Sequence, residues 1–152
     1  MAILNAQDTI SGKEGRAYAK INGNNEELFF AKTIEANVEK AKAEVKVMGK
    51  RMTGHKTIGM SGTGSMTIYY LSPLFRSLLG EYKDTGRDLF FDLVIENDDP
   101  ASAAGKQTVL LMGVNFDTTV LAMLDADSED PLQEEIEFTF EDFDILTAFN
   151  KF

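Results

Sequence analysis

Residues Ile34 to Tyr70 hold two alternating runs around a basic, glycine-bounded loop, Met48-Gly49-Lys50-Arg51-Met52-Thr53-Gly54-His55-Lys56. After the loop, Ile58, Met60, Met66, Ile68 and Tyr70 share one parity, with Gly62 and Gly64 in the same row. A period of two is that of a half-buried strand. Before the loop, Ile34, Ala36 and Val38 share a parity that slips to Ala41, Ala43, Val45 and Val47, which predicts a bulge near Glu39-Lys40. The spacing of Ile34, Val38, Ala41 and Val45 also fits a helix face, and Glu, Lys and Ala favour helix. Two features select strand: no N-cap box opens the segment, and the run after the loop needs a strand to pair with. One long hairpin over 34–70 is therefore expected. A strand from Ile34 to Val47 would extend roughly 45 Å at about 3.3 Å per residue, far beyond the mean strand of about 5 to 6 residues. An arm of that length is expected to leave its own domain and reach a neighbour.

The rest of the chain reads as shorter strands and one helix. Residues 1–14 carry few core-forming side chains and are expected to be an N-terminal arm whose order depends on a partner. A strand over Arg16–Ile21, a turn at Asn22-Gly23-Asn24-Asn25 and a returning strand over Leu28–Thr33 follow, the Asn-Gly pair supplying positive φ angles. Residues 72–83 read as a helix with Ser72 as N-cap, Pro73 at the first helical position and Gly86 just past its end. Its apolar stripe would be Leu74, Phe75, Leu78, Leu79 and Tyr82. Strands are expected over Arg87–Glu96 and over Thr108–Leu124 with a bend near Asn115–Asp117, with an acidic loop over Asp125–Pro131. In the last strand, Glu134–Glu141, Ile136, Phe138 and Phe140 share one face, and Glu135, Glu137, Thr139 and Glu141 the other. Residues 143–152 are apolar for a free tail and are expected to be a C-terminal arm. Many strands, one helix and apolar ends predict a mainly β fold with one flanking helix. Two packed sheets would form a β-barrel or sandwich with a long protruding hairpin, in a single domain over 1–152 that oligomerises.

Composition narrows the function. The chain has 152 residues, 43% of them hydrophobic, enough for a self-sufficient core. Without cysteine it has no disulfide, thiolate metal site or thiol nucleophile. The first residues lack a basic segment followed by an apolar run, and no stretch approaches about 20 apolar residues, so neither export nor a membrane span is expected. A net charge of −10 disfavours nucleic-acid binding. The charge is also divided: Lys32–Lys56 holds seven basic and three acidic residues, and Asp98 to the end holds thirteen acidic and two basic ones. Solvated strand faces would explain that division. So would a heterologous contact between the basic hairpin of one copy and the acidic part of the next, the kind that builds rings or filaments.

Motifs that imitate chemistry fail on inspection. In Gly49-x-x-x-x-Gly54-His55-Lys56-Thr57 a histidine stands where a phosphate-binding loop needs its lysine, and no helix follows. Asp125-Ala-Asp127-Ser-Glu129-Asp130 starts like a calcium loop but has Asp130 where glycine is required and Ile136 where a bidentate Glu belongs. His55 is the one histidine, on a glycine-flanked loop unsuited to a triad. Carboxylates on the last strand face outward, away from any apolar pocket that would raise a pKa. No enzyme activity, cofactor or metal is expected. Gly59, Gly62 and Gly64 weaken a strand unless a bend or close approach requires them, which suggests curvature at a subunit junction.

The segment Lys46-Val-Met-Gly49-Lys50-Arg51-Met-Thr53-Gly54-His55-Lys56, followed by Gly59-x-x-Gly62-Thr63-Gly64 and Tyr69-Tyr70-x-Ser72-Pro73-x-Phe75-Arg76, resembles the tail tube proteins of contractile-tailed phages, the family of the defective prophage PBSX. The resemblance spans essentially the whole chain. It implies hexameric rings stacked into a hollow inner tube, with strands of each subunit joined in a continuous barrel and a fold similar to type VI secretion tube proteins. It also implies a sheath protein outside and a tape measure protein in the lumen, through which DNA or effectors later pass without specific binding. Assembly would take place in the bacterial cytoplasm and end in the tail of a phage or phage-like particle. On this resemblance Lys50, Arg51, His55 and Lys56 become inter-ring contacts, and Glu35, Asn37, Glu44 and Lys46 become lumen candidates by parity. A monomeric β-barrel binding a small apolar ligand is the alternative, which the long basic hairpin and apolar ends disfavour.

Overall fold

The computed structural model describes residues 4–21, 23–28, 31–71 and 73–150. Its elements are β1 (Gly15–Ile21), β2 (Asn24–Glu27), β3 (Ala31–Val45), β4 (Gly54–Tyr69), α1 (Leu74–Thr85), β5 (Phe91–Asp98), β6 (Lys106–Phe116), β7 (Gln133–Phe140) and β8 (Asp142–Thr147). All strand pairs are antiparallel, in the order β2-β1-β5-β6-β7-β4-β3, with β8 on the side of β6.

The two expected layers are one sheet folded at β6. Up to Met112 this strand pairs with β5 and β8; beyond it Val114 still faces Phe91 of β5, while Asn115 and Phe116 pair with β7. Between those stretches Gly113 takes φ +68, and the β5 register slips there. Only glycine holds that φ cheaply, and a bulge bends its strand. The predicted bend near Asn115–Asp117 thus lies at Gly113, and β6 ends at Phe116 rather than running on to Leu124.

One core lies between the layers. From β1, β5 and β6 come Ala17, Ala19, Ile21, Phe91, Leu93, Leu111 and Val114; from β4 and β7 come Met66, Ile68, Ile136, Phe138 and Phe140. Phe116 joins them, its ring 4.4 Å from Phe75, 5.1 Å from Phe91 and 6.4 Å from Phe138. These rings pack against one another between the layers. At about 1.5–3 kcal/mol per fully buried large apolar side chain, this cluster dominates the folding energy.

The hairpin forms as predicted, with different details. Its bulge falls at Ala41/Lys42 on β3, and the extra residue, Ile58, is on β4. A second register shift, between Ala31 and Thr33, puts its extra residue, Lys32, on β3, so alternation along β3 is unbroken from Thr33 on. The rows Ile34–Met66–Ile136, Ala36–Gly64–Phe138 and Val38–Gly62–Phe140 run across β3, β4 and β7 on the core side. A Cβ on Gly62 would overlap the Phe140 ring, and one on Gly64 would overlap the Phe138 ring and lie 2.7 Å from the Glu35 carbonyl oxygen. These two glycines make room for the Phe138 and Phe140 rings of their own chain's core.

Other boundaries shift. Residues Asn24 and Asn25 pair in β2 instead of turning, so the returning strand is 24–27 and β3 starts at Ala31; Asn22 lies outside the described residues. The helix runs over 74–85 with Pro73 at the N-cap and Gly86 closing it in the left-handed conformation, its N–H on the Tyr82 carbonyl at 2.8 Å. Ser72, the expected cap, lies outside the described residues. Of the predicted stripe, Phe75 is buried and Leu74 and Leu78 pack on the core, while Leu79 and Tyr82 are 39% and 50% exposed. The strand expected over 87–96 occupies 91–98.

The described residues toward each end rest on the chain itself; residues 1–3 and 151–152 of the expected arms lie outside the described residues. A short 3-10 turn at Ala6–Asp8 precedes Ser11, whose N–H donates to Asp99 Oδ2 at 2.9 Å, and Ser102 Oγ donates to the Asp8 carbonyl at 2.8 Å. Residues 142–147 form β8 on β6, and Asn150 N–H donates to the Ala104 carbonyl at 2.7 Å.

Candidate assembly surfaces

The hairpin divides at the edge of the core. Apart from Ala43, every residue from Asn37 to Ser61 is exposed, including Ile58 at 67%, Met60 at 66% and Met48 at 100%. Where the hairpin leaves the core, Val38, Met60, Gly62, Phe140 and Phe143 line an open cleft of about 310 Å³. Lys50, Arg51, His55 and Lys56 all lie on the exposed distal part, Lys50 and Arg51 in the connection between β3 and β4, His55 and Lys56 at the start of β4. Lys50 N–H closes a turn on the Val47 carbonyl at 3.2 Å, with Gly49 at φ +84.

The four lumen candidates do not share a face. Glu35 and Asn37 lie on the side away from the core, where Asn37 Nδ2 donates to Glu35 Oε1 at 3.3 Å. Because β3 alternates without a slip, Glu44, opposite His55, falls on the other face, and Lys46 lies just beyond the strand. The face holding Glu35 and Asn37 continues across three strands as the rows Thr33–Thr67–Glu135, Glu35–Ser65–Glu137 and Asn37–Thr63–Thr139. Those rows contain carboxylates, hydroxyls and one amide, with no cation and no large apolar side chain.

Among the described residues no helix is long and apolar enough to cross a membrane, and no group of three or more His, Asp or Glu could hold a metal ion. Asp125, Asp127, Glu129 and Asp130 are all exposed.

Residues 2–147 match the family model of the phage tail tube protein. The chain belongs to the phage tail tube family. It is 51% identical over 142 residues to the phage-like element PBSX protein XkdM of Bacillus subtilis (strain 168), covering 93% of each chain. Its fold is similar to a chain of the anti-feeding prophage tube-terminating cap, at TM-score 0.74, 10% identity and coverage of 97% of this chain and 95% of that one. It is also similar to a chain in the sheath–tube complex of an extracellular contractile injection system in its extended state, at TM-score 0.65 and 11% identity, covering 94% of each. A structural role as a tail tube subunit follows from the family.

One feature of this tail tube subunit escaped the sequence reading. Glu134 has a fully buried side chain and pairs with Arg76 of α1 at 2.5 Å. Arg76 also donates to the Val120 carbonyl at 3.3 Å and stacks 4.7 Å over the Tyr70 ring. The pair locks helix, β7 and the 117–132 segment together. Its signal was parity: Glu134 shares the face of Ile136, Phe138 and Phe140, where an acid requires a cationic partner.

Proposed function

We propose that six copies close into a ring and that rings stack into the inner tube of a contractile phage or phage-like tail. The exposed distal hairpin, with Lys50, Arg51, His55 and Lys56, bridges one ring to the next. The polar face of β3, β4 and β7 lines the lumen, so Glu35 and Asn37 face the cargo, whereas Glu44 and Lys46 belong to contacts between subunits. Lys32 brings a cation to the edge of that face, where its Nζ donates to Gln133 Oε1 at 3.4 Å; along the three rows a polyanion such as DNA finds no cation and slides past without binding. The opposite layer, β1-β5-β6-β8, turns toward the sheath. The tape measure protein occupies the lumen first, and DNA or effectors follow. Assembly takes place in the bacterial cytoplasm and involves no enzymatic step, cofactor or membrane.

The observation that carries this reading is the hairpin exposed from Asn37 to Ser61 in a chain of this family. A strand pair that projects beyond its own core needs another chain to cover it. Negative-stain microscopy of the purified protein across concentration and salt tests it, with rings or hollow tubes expected and tubes shortened by salt. Lys50→Glu with Arg51→Glu is expected to leave rings but stop stacking; tubes of undiminished length in that variant would remove the hairpin from the contact.

A further inference from the structure

We propose that the acceptor for the hairpin tip is the 121–130 segment of a second copy of this chain, joined head to tail. This rests on the stacking reading above and adds the surface that receives the tip.

The two surfaces are complementary in charge and in apolar content. Around the tip cations, Met48 and Met52 are 100% and 77% exposed. In the other segment Asp125, Asp127, Glu129 and Asp130 are exposed beside Leu121 at 69% and Leu124 at 96%. No lysine or arginine occurs between Lys106 and Lys151, and among the described residues none of those carboxylates is in an ion pair. Residues 117–132 contain no helix or strand. An irregular stretch beyond about 12–15 residues is uncommon in a compact domain and is usually either a functional loop or a disordered linker.

Topology decides that the contact is between copies. The acidic segment is held at one end of the β4–β7 ladder: Arg76 grips the Val120 carbonyl, and Tyr70 N–H donates to the Leu132 carbonyl at 2.9 Å. The tip begins at the other end, before Gly54. Between them lie the 16 residues of β4, roughly 50 Å at about 3.3 Å per residue. One chain cannot bring its own two surfaces together. A copy placed in line with it can, and such a heterologous contact repeats without closing, which is what a stack requires. The acids Glu141, Asp142 and Asp144 do not compete for this role, since they follow Phe140 at the tip's own end of the ladder.

The chain has no cysteine, so introduced thiols report one contact. Met48→Cys and Leu124→Cys chains, mixed in equal amounts under assembling conditions and oxidised, are expected to give covalent dimers only in the mixture, since a disulfide needs Cα atoms within about 7 Å. The chain carrying both changes is expected to give a ladder of covalent oligomers. In parallel, Asp125→Lys with Asp127→Lys is expected to block stacking as Lys50→Glu with Arg51→Glu does, and the four changes together to restore tube length. Tubes that form with neither cross-link nor rescue would overturn this acceptor and leave the stacking reading standing. Tip-to-tip cross-linking of Met48→Cys alone would overturn the head-to-tail arrangement. Absence of rings and tubes from the unaltered protein under every condition would overturn both readings.

Discussion

The two halves of one hairpin share a sequence pattern and differ in what lies over them. Near the root, Ile34, Ala36 and Val38 on β3 face Met66, Gly64 and Gly62 on β4, and β7 completes each row with Ile136, Phe138 and Phe140. Farther out, Lys40 faces Met60 and Ala41 faces Gly59, with no third strand beside them. Met66 is 1% exposed, and Met60, on the same strand and face, is 66% exposed. Alternation therefore encodes a strand pair in both halves, but only the root half has its covering layer in the same chain. The distal half presents the same chemistry with no such layer over it among the described residues, and on the proposed stacking another copy provides that layer.

The largest effect that separates the halves is expected at the root. Glu134 lies opposite Ile68 of β4, and among the described residues Arg76 is the cation paired with it. Arg76→Met would strand a buried carboxylate whose Oε1 already lacks a hydrogen-bond partner. Removing one member of a buried pair costs about 3–5 kcal/mol, which denaturant unfolding of the dispersed protein would register as a large fall in midpoint. Replacing both, with Glu134→Leu added, should recover most of it. An unchanged midpoint for Arg76→Met would mean that the root is not secured by this pair.

The glycines give a sharper contrast within β4. At Gly64, a valine must displace the Phe138 ring and meet the Glu35 carbonyl, a form of overpacking that costs about 1–3 kcal/mol or more. At Gly59, nothing lies within 4 Å of an added Cβ, so Gly59→Val should be neutral or stabilising by up to about 1 kcal/mol through strand propensity. Equal losses at both sites would erase the distinction between root and distal half.

Smaller still is the expected effect of Ile58→Ser or Met60→Ser on the folding of an isolated chain, within about 0.5 kcal/mol as for other surface positions. The same variants should weaken assembly, measured as the protein concentration at which rings or tubes first appear. If that threshold stays fixed, the exposed apolar residues of the distal half are not buried on association.

The hairpin, the last strand and the helix were legible because their periods are local properties of the residues in them. Where the layers join was not, because the fold of β6 at Gly113 depends on β7 and β8 arriving from farther along the chain. The bulge was placed a few residues early and on the wrong strand for a similar reason. Sequence shows a slip in apolar parity along β3, but which strand carries the extra residue is decided by pairing, and here it is Ile58 of β4. That choice put Glu44 on the opposite face from Glu35. The basic tip and the acidic part of the chain are both evident from composition; which acidic segment can receive the tip depends on Val120 and Leu132 being fixed at the far end of β4.

The subtlest test uses the N-terminal segment, which is as exposed as the distal hairpin yet is tied to its own chain. Asp99 accepts the N–H groups of Ser11 and Ala101, each at 2.9 Å. These bonds, that of Ser11 foremost, hold its carboxyl below the ordinary carboxylate range. A lowered native pKa means that the charged form contributes stability above the unfolded value of about 3.9, and that this contribution is lost as pH falls through the lower native value. Protection of the Ser11 and Ala101 amides from hydrogen exchange should therefore persist from neutral pH down past the usual carboxylate range and disappear only below it. Asp99→Ala should remove it at every pH, while the amides of Lys40 and Met60 in the distal hairpin exchange at unchanged rates. If protection at Ser11 were already lost near pH 5, Asp99 would not be the tether. The N-terminal segment would then resemble the distal hairpin in depending on a neighbouring copy for its order.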